Sequence, residues 1–312
     1  MTTSAKQDFL SRILVLNDAL TEQSVMDFTP SDVKHNSIAR MLRNGLAVVA
    51  FATLEDFIKS RSSEILNQIG TTGIQFRQLP EKLRNAVTFE SIKALQYQVS
   101  IIDENTDKIA YIQSMCKKIA STALPPIDIM DHSFAYEQAN VNAETIKKIL
   151  LSFGVIDPWK QISNLSNNAG LTALSLDIIF KNAANRRHRA AHVANTITPQ
   201  NDIIGFVKEA IGIAFGFDAL ISYSYSKIKV LDPTYISSTS PFITSTMVKT
   251  RKIVFDQNKW KLYGSGQTRA QTSNIDKAYV IQMGINKCRA GREMLLVYNE
   301  NGMVIDWFDN HT

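Results

Sequence analysis

The stretch LRNGLAVVAFATLEDFI, residues 42–58, sets the interpretation of the N-terminal part of the chain. Its large apolar residues recur every three or four positions, which is the spacing of one face of an α-helix and differs from the alternation of a β-strand. The pattern predicts one long helix from about Ser37 to Ile69, and the glycines of IGTTG (69–73) indicate its end. The apolar face consists of Leu42, Leu46, Val49, Ala50, Leu54, Phe57 and Ile58.

Helical spacing continues well beyond this segment. Proline is tolerated in the first turn of a helix and glycine often follows the last turn, so Pro80 predicts a helix start and Gly154 a helix end. In TPQND (198–202), Thr198 is expected to be the N-cap of the last long helix, with Pro199 in its first turn. The further predicted helices span 81–100, 104–122, 142–154, about 171–195, and about Pro199 to Ile228.

The chain changes character towards its C-terminal end. YISSTSPFITST (235–246) has no charge and is rich in Ser and Thr, which is typical of a linker. The apolar period then falls to two, so KAYVIQMGI (277–285) is expected to be a strand and MLLVYNENGMVIDWF (294–308) a hairpin. The sequence thus predicts a mainly α fold with a small β module, α+β overall. The predicted divisions are an N-terminal helix and connector (1–36), a helical bundle (37–230), a linker (231–246) and a β-rich module (247–312).

The composition excludes several classes of protein. With 45% hydrophobic and 20% charged residues the chain is globular, and its net charge of +5 agrees with a nucleic-acid partner without establishing one. Cys116 and Cys288 have no Cys-x-x-Cys spacing, so neither a zinc site nor a disulfide framework is expected. No signal peptide is recognised, and the apolar runs look too short or too interrupted by charge to span a bilayer. A cytoplasmic protein with no membrane partner is expected.

NRRHRAAH, residues 185–192, is the most unusual stretch of the chain, because it holds three arginines and two histidines. The 24 residues from Ile178 to Asn201 contain no Asp or Glu, so the usual i,i+4 partners of the arginines are missing. His188 and His192 are four residues apart and therefore share one helix face. The stretch either faces a phosphate or is an exposed basic face that meets only water.

Arg187, the polar His188 after it and His192 form an Arg-x4-His pattern in a helix that precedes another long helix. This pattern resembles the signature of the HEPN superfamily of helical-bundle ribonucleases. GLAVVAFATLEDFIKSR (45–61) resembles the first core helix of the RiboL-PSP and related bacterial groups, and VNAETIKKILLSFGVIDPW (141–159) resembles the segment before their motif helix. The resemblance covers the predicted bundle and leaves the β module unexplained.

The resemblance implies a metal-independent endoribonuclease without a cofactor. In such enzymes a ribose 2′-OH attacks the adjacent phosphate and leaves a 2′,3′-cyclic phosphate and a 5′-OH. Histidine titrates near neutrality, which suits His192 to acid/base work, and a guanidinium makes two-point hydrogen bonds to phosphate, which suits Arg187 to the transition-state charge. His188 is expected to be a second polar group, and Arg186 and Arg189 are expected to position the RNA backbone.

Other polar residues carry weaker functional signals. Glu55 on the first core helix is a candidate polar partner, although an acid on a helix is more often solvated. Asp202 is expected to favour the N-terminus of its helix. DIMDH (128–132) offers too few ligand types for a metal site. In the β module, a mixture of aromatic and cationic residues predicts either a nucleic-acid surface or half-buried aromatics: Trp260, Tyr263, Arg269, Lys287, Arg289 and Arg292.

Five residues along a helix turn through about 500°, which leaves Arg187 and His192 about 140° apart. A two-fold homodimer resolves this separation by converging the residues of both copies, an arrangement that the resemblance also implies. The apolar helix at 203–221 is expected to be bundle core, with part of it available to the dimer. RNA is the expected substrate, in a toxin, antiphage or stress-response role that would fit an antitoxin or defence-system partner protein. The alternative is a non-catalytic HEPN-like dimer that binds nucleic acid or protein through the same basic cleft.

Overall fold

The computed structural model describes residues 4–124, 126–171, 175–193 and 195–309, which form a helical bundle followed by a C-terminal sheet. This confirms the predicted fold class. The helices are α1 (Ser4–Ala19), α2 (Val33–Gly70), α3 (Glu81–Ile101), α4 (Asn105–Ser121), α5 (Ala143–Ser152), α6 (Pro158–Asn168), α7 (Leu176–His192), α8 (Gln200–Lys229), the short α9 (Pro233–Ile236) and α10 (Lys277–Gly291).

The bundle is built around α2 and α8, which pack against each other and are flanked by α1, α6 and α7. The long helix predicted from apolar spacing is α2. Every side chain of α8 from Ala210 to Ser222 is buried, so this stretch is bundle core and offers no face to a dimer. Gly216 permits the close approach of α6, because a Cβ there would lie 2.9 Å from a methyl group of Ile162.

The start of α8 differs from the prediction. Thr198 does not cap the helix, which begins at Gln200 after Pro199. The Thr198 hydroxyl instead donates to Asn44 Oδ1 at 2.8 Å, and its carbonyl accepts from Arg43 Nε at 3.1 Å. Thr198, which the sequence predicted as the N-cap of α8, is therefore hydrogen-bonded to α2 instead.

The sheet has the strand order β3-β2-β1-β4-β5. Its central pair, β1 and β4, is parallel, and the other neighbouring pairs are antiparallel. The hairpin predicted around Asn301-Gly302 is confirmed as β4–β5. The strands are β1 (Thr250–Asp256), β2 (Lys259–Tyr263), β3 (Thr272–Asn274), β4 (Met294–Tyr298) and β5 (Val304–Phe308).

The predicted strand at 277–285 is wrong, because this segment lies in α10. The Asp276 carboxylate accepts hydrogen bonds from two backbone N–H groups of the first turn and so caps the helix. Val280, Gly284 and Cys288 are buried against the sheet at four-residue intervals. A parallel pair such as β1 and β4 cannot be joined by a tight turn, and α10 lies in the connection that returns the chain to β4.

The segment predicted as a linker, 231–246, is packed against the bundle. It contains α9, whose Tyr235 is buried and donates its hydroxyl hydrogen to the Phe153 carbonyl at 2.9 Å. Ile243 is also buried, and its carbonyl accepts from the Ile156 N–H at 3.0 Å. Because this connection is held at several points, the sheet has a fixed place beside the bundle.

The side chain of Trp307 on β5 packs into the bundle core. It is fully buried, and its ring centroid lies 6.4 Å from that of Phe9, 6.5 Å from that of Phe57 and 5.9 Å from that of Phe215. These contacts join β5 to α1, α2 and α8. The sheet therefore shares one continuous apolar core with the helices, which the division of the sequence by composition did not indicate.

A buried ion pair lies beside this tryptophan. Arg61 on α2 donates through Nε to Asp218 Oδ1 on α8 at 2.6 Å, and both side chains are almost completely buried. The second carboxylate oxygen of Asp218 accepts from Trp307 Nε1 at 2.7 Å, and Ser222 accepts from Arg61 at 2.7 Å. Burial acts to raise the pKa of Asp218, but Arg61 and the Trp307 hydrogen bond hold that pKa below its ordinary value.

By length and hydropathy, α2 is the helix of the described part of the chain that would be able to cross a membrane. This criterion rests on length and composition alone. In the fold, however, α2 packs against α1, α7 and α8. It also carries the buried polar residues Arg43, Glu55 and Arg61, which are bonded to other parts of the bundle. This is the environment of a bundle core helix.

Asp218→Asn is expected to lower the free energy of unfolding by about 3–5 kcal/mol, because Arg61 would stay charged and buried without its closest counter-ion. Denaturant titration at pH 7 measures the loss. The lowered pKa of Asp218 means that its stabilisation is complete at neutral pH and disappears as the pH falls through that lowered value. The difference between wild type and variant should therefore shrink in acid.

The matched control is Asp56→Asn. Asp56 pairs with Arg12 at 2.6 Å, but both side chains are more than half exposed. Exposed pairs contribute little, so a change below about 1 kcal/mol is expected. Equal losses in the two variants would contradict the special role of the buried pair.

Candidate functional site

Helix α7 is held against α2 by its apolar face. The ring of Phe180 packs in a tilted orientation against Phe51 of α2, with ring centroids 5.1 Å apart, and Asn44 of α2 donates to the Thr196 carbonyl just after α7 at 2.8 Å. These contacts show that the two helices run antiparallel. The buried residues of α7 are Leu176, Phe180 and Ala183.

Arg187 continues the buried face of α7, because it follows Ala183 by four residues. Its side chain is half-buried, and its Nε is buried with no hydrogen-bond partner among the described residues. A buried N–H donor without a partner costs free energy. The guanidinium of Arg187 is thus partly buried, with one donor that the described residues leave unsatisfied.

Glu55 lies on the α2 side of this site. It is only 7% exposed, and its Oε1 accepts from the Val141 N–H at 2.7 Å. Burial raises the pKa of Glu55, while the Val141 hydrogen bond and the charges of Arg187 and Lys59 act to lower it. The expectation of a solvated helix acid is therefore wrong. Glu55 is a buried carboxylate within electrostatic range of Arg187.

Lys59 is a residue of this site that the sequence reasoning missed. It lies one turn beyond Glu55 on α2, and its ammonium donates to the Ala139 carbonyl at 3.1 Å and lies 5.6 Å from the centre of the Tyr136 ring. The available signal was the i,i+4 spacing of Glu55 and Lys59, which places a carboxylate and an ammonium on one helix face.

His188 and His192 share one face, as the spacing predicted. Both are exposed, and their ring centroids are 4.8 Å apart. His192 is the last residue of α7, so its ring lies at the helix end. Arg187 points instead towards the buried side. Within the described residues no hydrogen bond joins Arg187 to His192, in agreement with the angular separation expected along one helix.

The two neighbouring arginines differ. Arg186 is paired with Asp202, in the first turn of α8, at 3.2 Å. Burial raises the pKa of the nearby Glu209, and the charge of Arg186 opposes this rise. Arg186 is thus engaged within the chain, whereas Arg189 is exposed and has no ion pair among the described residues. Although no Asp or Glu lies close to Arg186 on α7, Asp202 on α8 supplies its ionic partner.

His132 belongs to a separate packed cluster. Its Nδ1 lies 3.0 Å from the Tyr111 hydroxyl, and its ring stacks on Tyr136 at 4.0 Å between centroids. The adjacent Asp131 accepts from Lys118 at 3.0 Å. In the part of the chain that the structure describes, no group of three His, Cys, Asp or Glu side chains is arranged to hold a metal ion.

In the β module, Trp260 is buried and is not exposed for stacking against nucleic-acid bases. Its ring lies 5.0 Å from that of Phe255, and the Lys277 ammonium lies 4.2 Å from its centre. The packed interpretation holds for this aromatic. Arg269 and Arg289 are exposed, but no aromatic stacking surface accompanies them among the described ring contacts.

The fold and the arrangement of α2 and α7 define a HEPN-type helical bundle. The model of the RiboL-PSP-HEPN family matches residues 7–224, which span most of α1 to most of α8, and the chain belongs to this family. Comparisons with curated proteins and with solved structures found no significant match. The family confirms the predicted superfamily and indicates a nuclease or RNA-related role. Its match also includes α1, which the prediction had placed outside the bundle.

Glu55→Gln is expected to leave the thermal midpoint unchanged or to raise it at pH 7. The amide keeps an oxygen for the Val141 N–H and removes a buried charge. Because the pKa of Glu55 is raised in the folded protein, the wild-type carboxylate costs stability as the pH rises through that pKa. The advantage of glutamine should therefore grow between about pH 4 and pH 7, which thermal melts at several pH values would measure.

The contrasting variant is Glu55→Leu, which offers Val141 no acceptor. It is expected to lower the free energy of unfolding by about 1–3 kcal/mol, the cost of an unsatisfied buried donor. A loss of stability in Glu55→Gln that equals the loss in Glu55→Leu would show that the charge, rather than the acceptor, stabilises the fold.

Proposed function

We propose that the protein is a metal-independent endoribonuclease that cleaves RNA by attack of a ribose 2′-OH on the adjacent phosphate. The observation that carries this proposal is Arg187, whose Nε is buried without a partner beside two exposed histidines. A planar guanidinium that is not fully buried suits a phosphate oxygen. The family membership supports the same reaction class.

In the proposed reaction, histidine transfers protons and Arg187 stabilises the developing charge. The 2′-OH gives its proton to the neutral imidazole of His192 while its oxygen forms a bond to phosphorus. Arg187 balances the additional negative charge on the phosphorane. The P–O5′ bond then breaks, and the 5′ oxygen takes a proton from a protonated imidazole. The products are a 2′,3′-cyclic phosphate and a 5′-OH, with no net oxidation or reduction.

A two-fold homodimer would complete this site, since base and acid act on opposite sides of the phosphorus. The outer face of α2 carries an exposed apolar stripe at helical spacing, comprising Ile38, Met41, Leu42 and Val49. The connection after α7 crosses α2 at Asn44, beside this stripe. Exposed apolar patches mark interaction surfaces, so the stripe is the proposed dimer contact.

The proposed cellular role is that of a toxin, antiphage or stress-response nuclease in the cytoplasm. Uncontrolled cleavage of RNA would harm the cell that makes such an enzyme. An antitoxin or another defence-system protein is therefore the proposed regulatory partner, and covering the exposed end of α7 would be its means of inhibition.

The second candidate function is binding without catalysis. Arg189 is exposed and has no ion pair among the described residues, and Arg187 adds a second positive charge nearby, so an RNA backbone would be held even if no bond were broken. The histidines distinguish the two candidates, because a scaffold that only binds phosphate has no need of a group that titrates near neutrality.

His192→Ala is expected to slow cleavage by about 10²–10⁴ while RNA affinity stays within a few fold of wild type, because the imidazole moves protons and makes no essential phosphate contact. Arg187→Lys should not rescue activity, since an ammonium lacks the planar fork. The measurement is cleavage of total RNA in EDTA with end-group analysis. Lys181→Ala is the control, because Lys181 is exposed on the same helix about three turns away.

Wild-type cleavage rates in His192→Ala would disprove the assignment of this residue. If the wild type binds RNA and never cleaves it, the binding function replaces the enzymatic one. Neutralising Arg189 should then still weaken RNA binding and lower the salt dependence by about one phosphate contact.

Met41→Glu is expected to convert the protein from dimer to monomer, because a charge would be buried in an apolar contact between copies. Light scattering should give twice the 34.9 kDa chain mass for the wild type and the single chain mass for the variant. Ile109→Glu is the matched control, since Ile109 is also more than half exposed but lies on α4. A monomeric wild type at micromolar concentration would contradict the composite site.

A further inference from the structure

A pocket of about 520 Å³ lies between the sheet and the bundle, away from α7. One wall is the bundle-facing side of the sheet, where Lys252 on β1 lies beside Leu296 and Tyr298 of β4. The opposite wall includes Asn168 at the end of α6. Tyr298 ties the two walls together, because its hydroxyl donates to the Ala169 carbonyl at 2.8 Å.

The charges around this pocket are all of one sign. Lys249 and Lys252 line it, and no Asp or Glu does. Both lysines are exposed, and neither has an ion pair among the described residues. Neighbouring Arg251, in contrast, points away and is paired with Glu293. Two unneutralised ammonium groups at one cavity create a positive potential that favours an anionic ligand.

The third wall is the loop from Gly264 to Thr268, GSGQT, which joins β2 and β3. It forms a tight turn in which the Gln267 N–H donates to the Gly264 carbonyl at 3.1 Å, and Gly266 has a φ of +67°. The backbone N–H groups of Ser265, Gly266 and Thr268 have no hydrogen-bond partner among the described residues. Free amides in a glycine-containing turn are suitable donors to phosphate oxygens.

We propose that this pocket binds a nucleotide through its phosphate, with Lys249, Lys252 and the amides of the 264–268 loop around the phosphate oxygens. The volume is larger than a phosphate ion needs and lies in the range of small-molecule sites. The apolar side chains of Val248, Leu296 and Tyr298 supply a surface for the ribose and base. The ligand is either a free nucleotide or the phosphorylated terminal nucleotide of an RNA.

This assignment gives the sheet a role of its own and does not depend on the proposed cleavage at α7. The chemistry of the pocket differs from that of the α7 site, because it has lysines and backbone amides and no histidine. Binding at one site is therefore separable from binding at the other by substitution.

The test is isothermal titration calorimetry on the full chain with AMP, GMP, CMP and UMP, and with the four corresponding nucleosides as probes that lack phosphate. At least one monophosphate should bind, and its nucleoside should bind at least 10-fold more weakly. The double variant Lys249→Gln/Lys252→Gln should weaken binding of that monophosphate at least 10-fold. Lys259→Gln is the matched control, because Lys259 is exposed on β2 and does not line the pocket.

A second pair of probes separates the two sources of phosphate, a short oligoribonucleotide with a 5′-phosphate and the same oligoribonucleotide with a 5′-OH. Preference for the 5′-phosphate that the double variant loses would assign the pocket to RNA ends, and binding of free monophosphates alone would assign it to nucleotides. The proposal is overturned if none of these phosphorylated probes binds at millimolar concentration, if nucleosides bind as tightly as monophosphates, or if the double variant binds like wild type. Thermal melts of all variants would exclude unfolding as the cause of lost binding.

Discussion

The buried pair of Arg61 and Asp218 is the constraint on which the remaining structure depends. Two opposite charges removed from water are stable only when their other hydrogen-bonding groups are also satisfied. Ser222 and Glu64 accept the remaining hydrogen bonds of the Arg61 guanidinium, and the Trp307 indole donates a hydrogen bond to the Asp218 carboxylate. The last of these partners comes from the sheet, which means that the ion pair between α2 and α8 has all its hydrogen bonds only when β5 is in place.

This arrangement also fixes the helix that carries part of the candidate site. Glu55, Lys59 and Arg61 lie within two turns of α2, and they point to different neighbours. Arg61 fixes α2 against α8, while Glu55 faces Val141 and the charge of Arg187. A site attached to a helix that is fixed on its other side keeps its geometry better than a site on loops. One face of α2 therefore contributes to the core, and another face contributes to the candidate site.

Sequence periodicity was sufficient for the long helices and insufficient for tertiary partners. Apolar spacing predicted α2 and α8 because burial repeats with the helix turn. The same reasoning failed for α10, where the buried face is a valine, a glycine and a cysteine and gives a weak apolar pattern. Burial of Glu55 was missed for another reason, since its partner Val141 lies 86 positions away along the chain. The pair of Arg186 and Asp202 was missed because it crosses between helices.

A comparison with the other buried arginines shows what distinguishes Arg187. Arg43 bonds to Thr198, Val25 and Asp27, and Arg61 is similarly saturated. Arg187 has a buried Nε without a partner, and so has Arg84 on α3, so an unpaired donor alone does not mark a site. Arg187 differs from Arg84 in its surroundings, which hold a buried carboxylate on α2 and two exposed imidazoles on its own helix. A cation that can bind a phosphate, next to imidazoles that can move a proton, is the combination on which the proposed phosphoryl transfer rests.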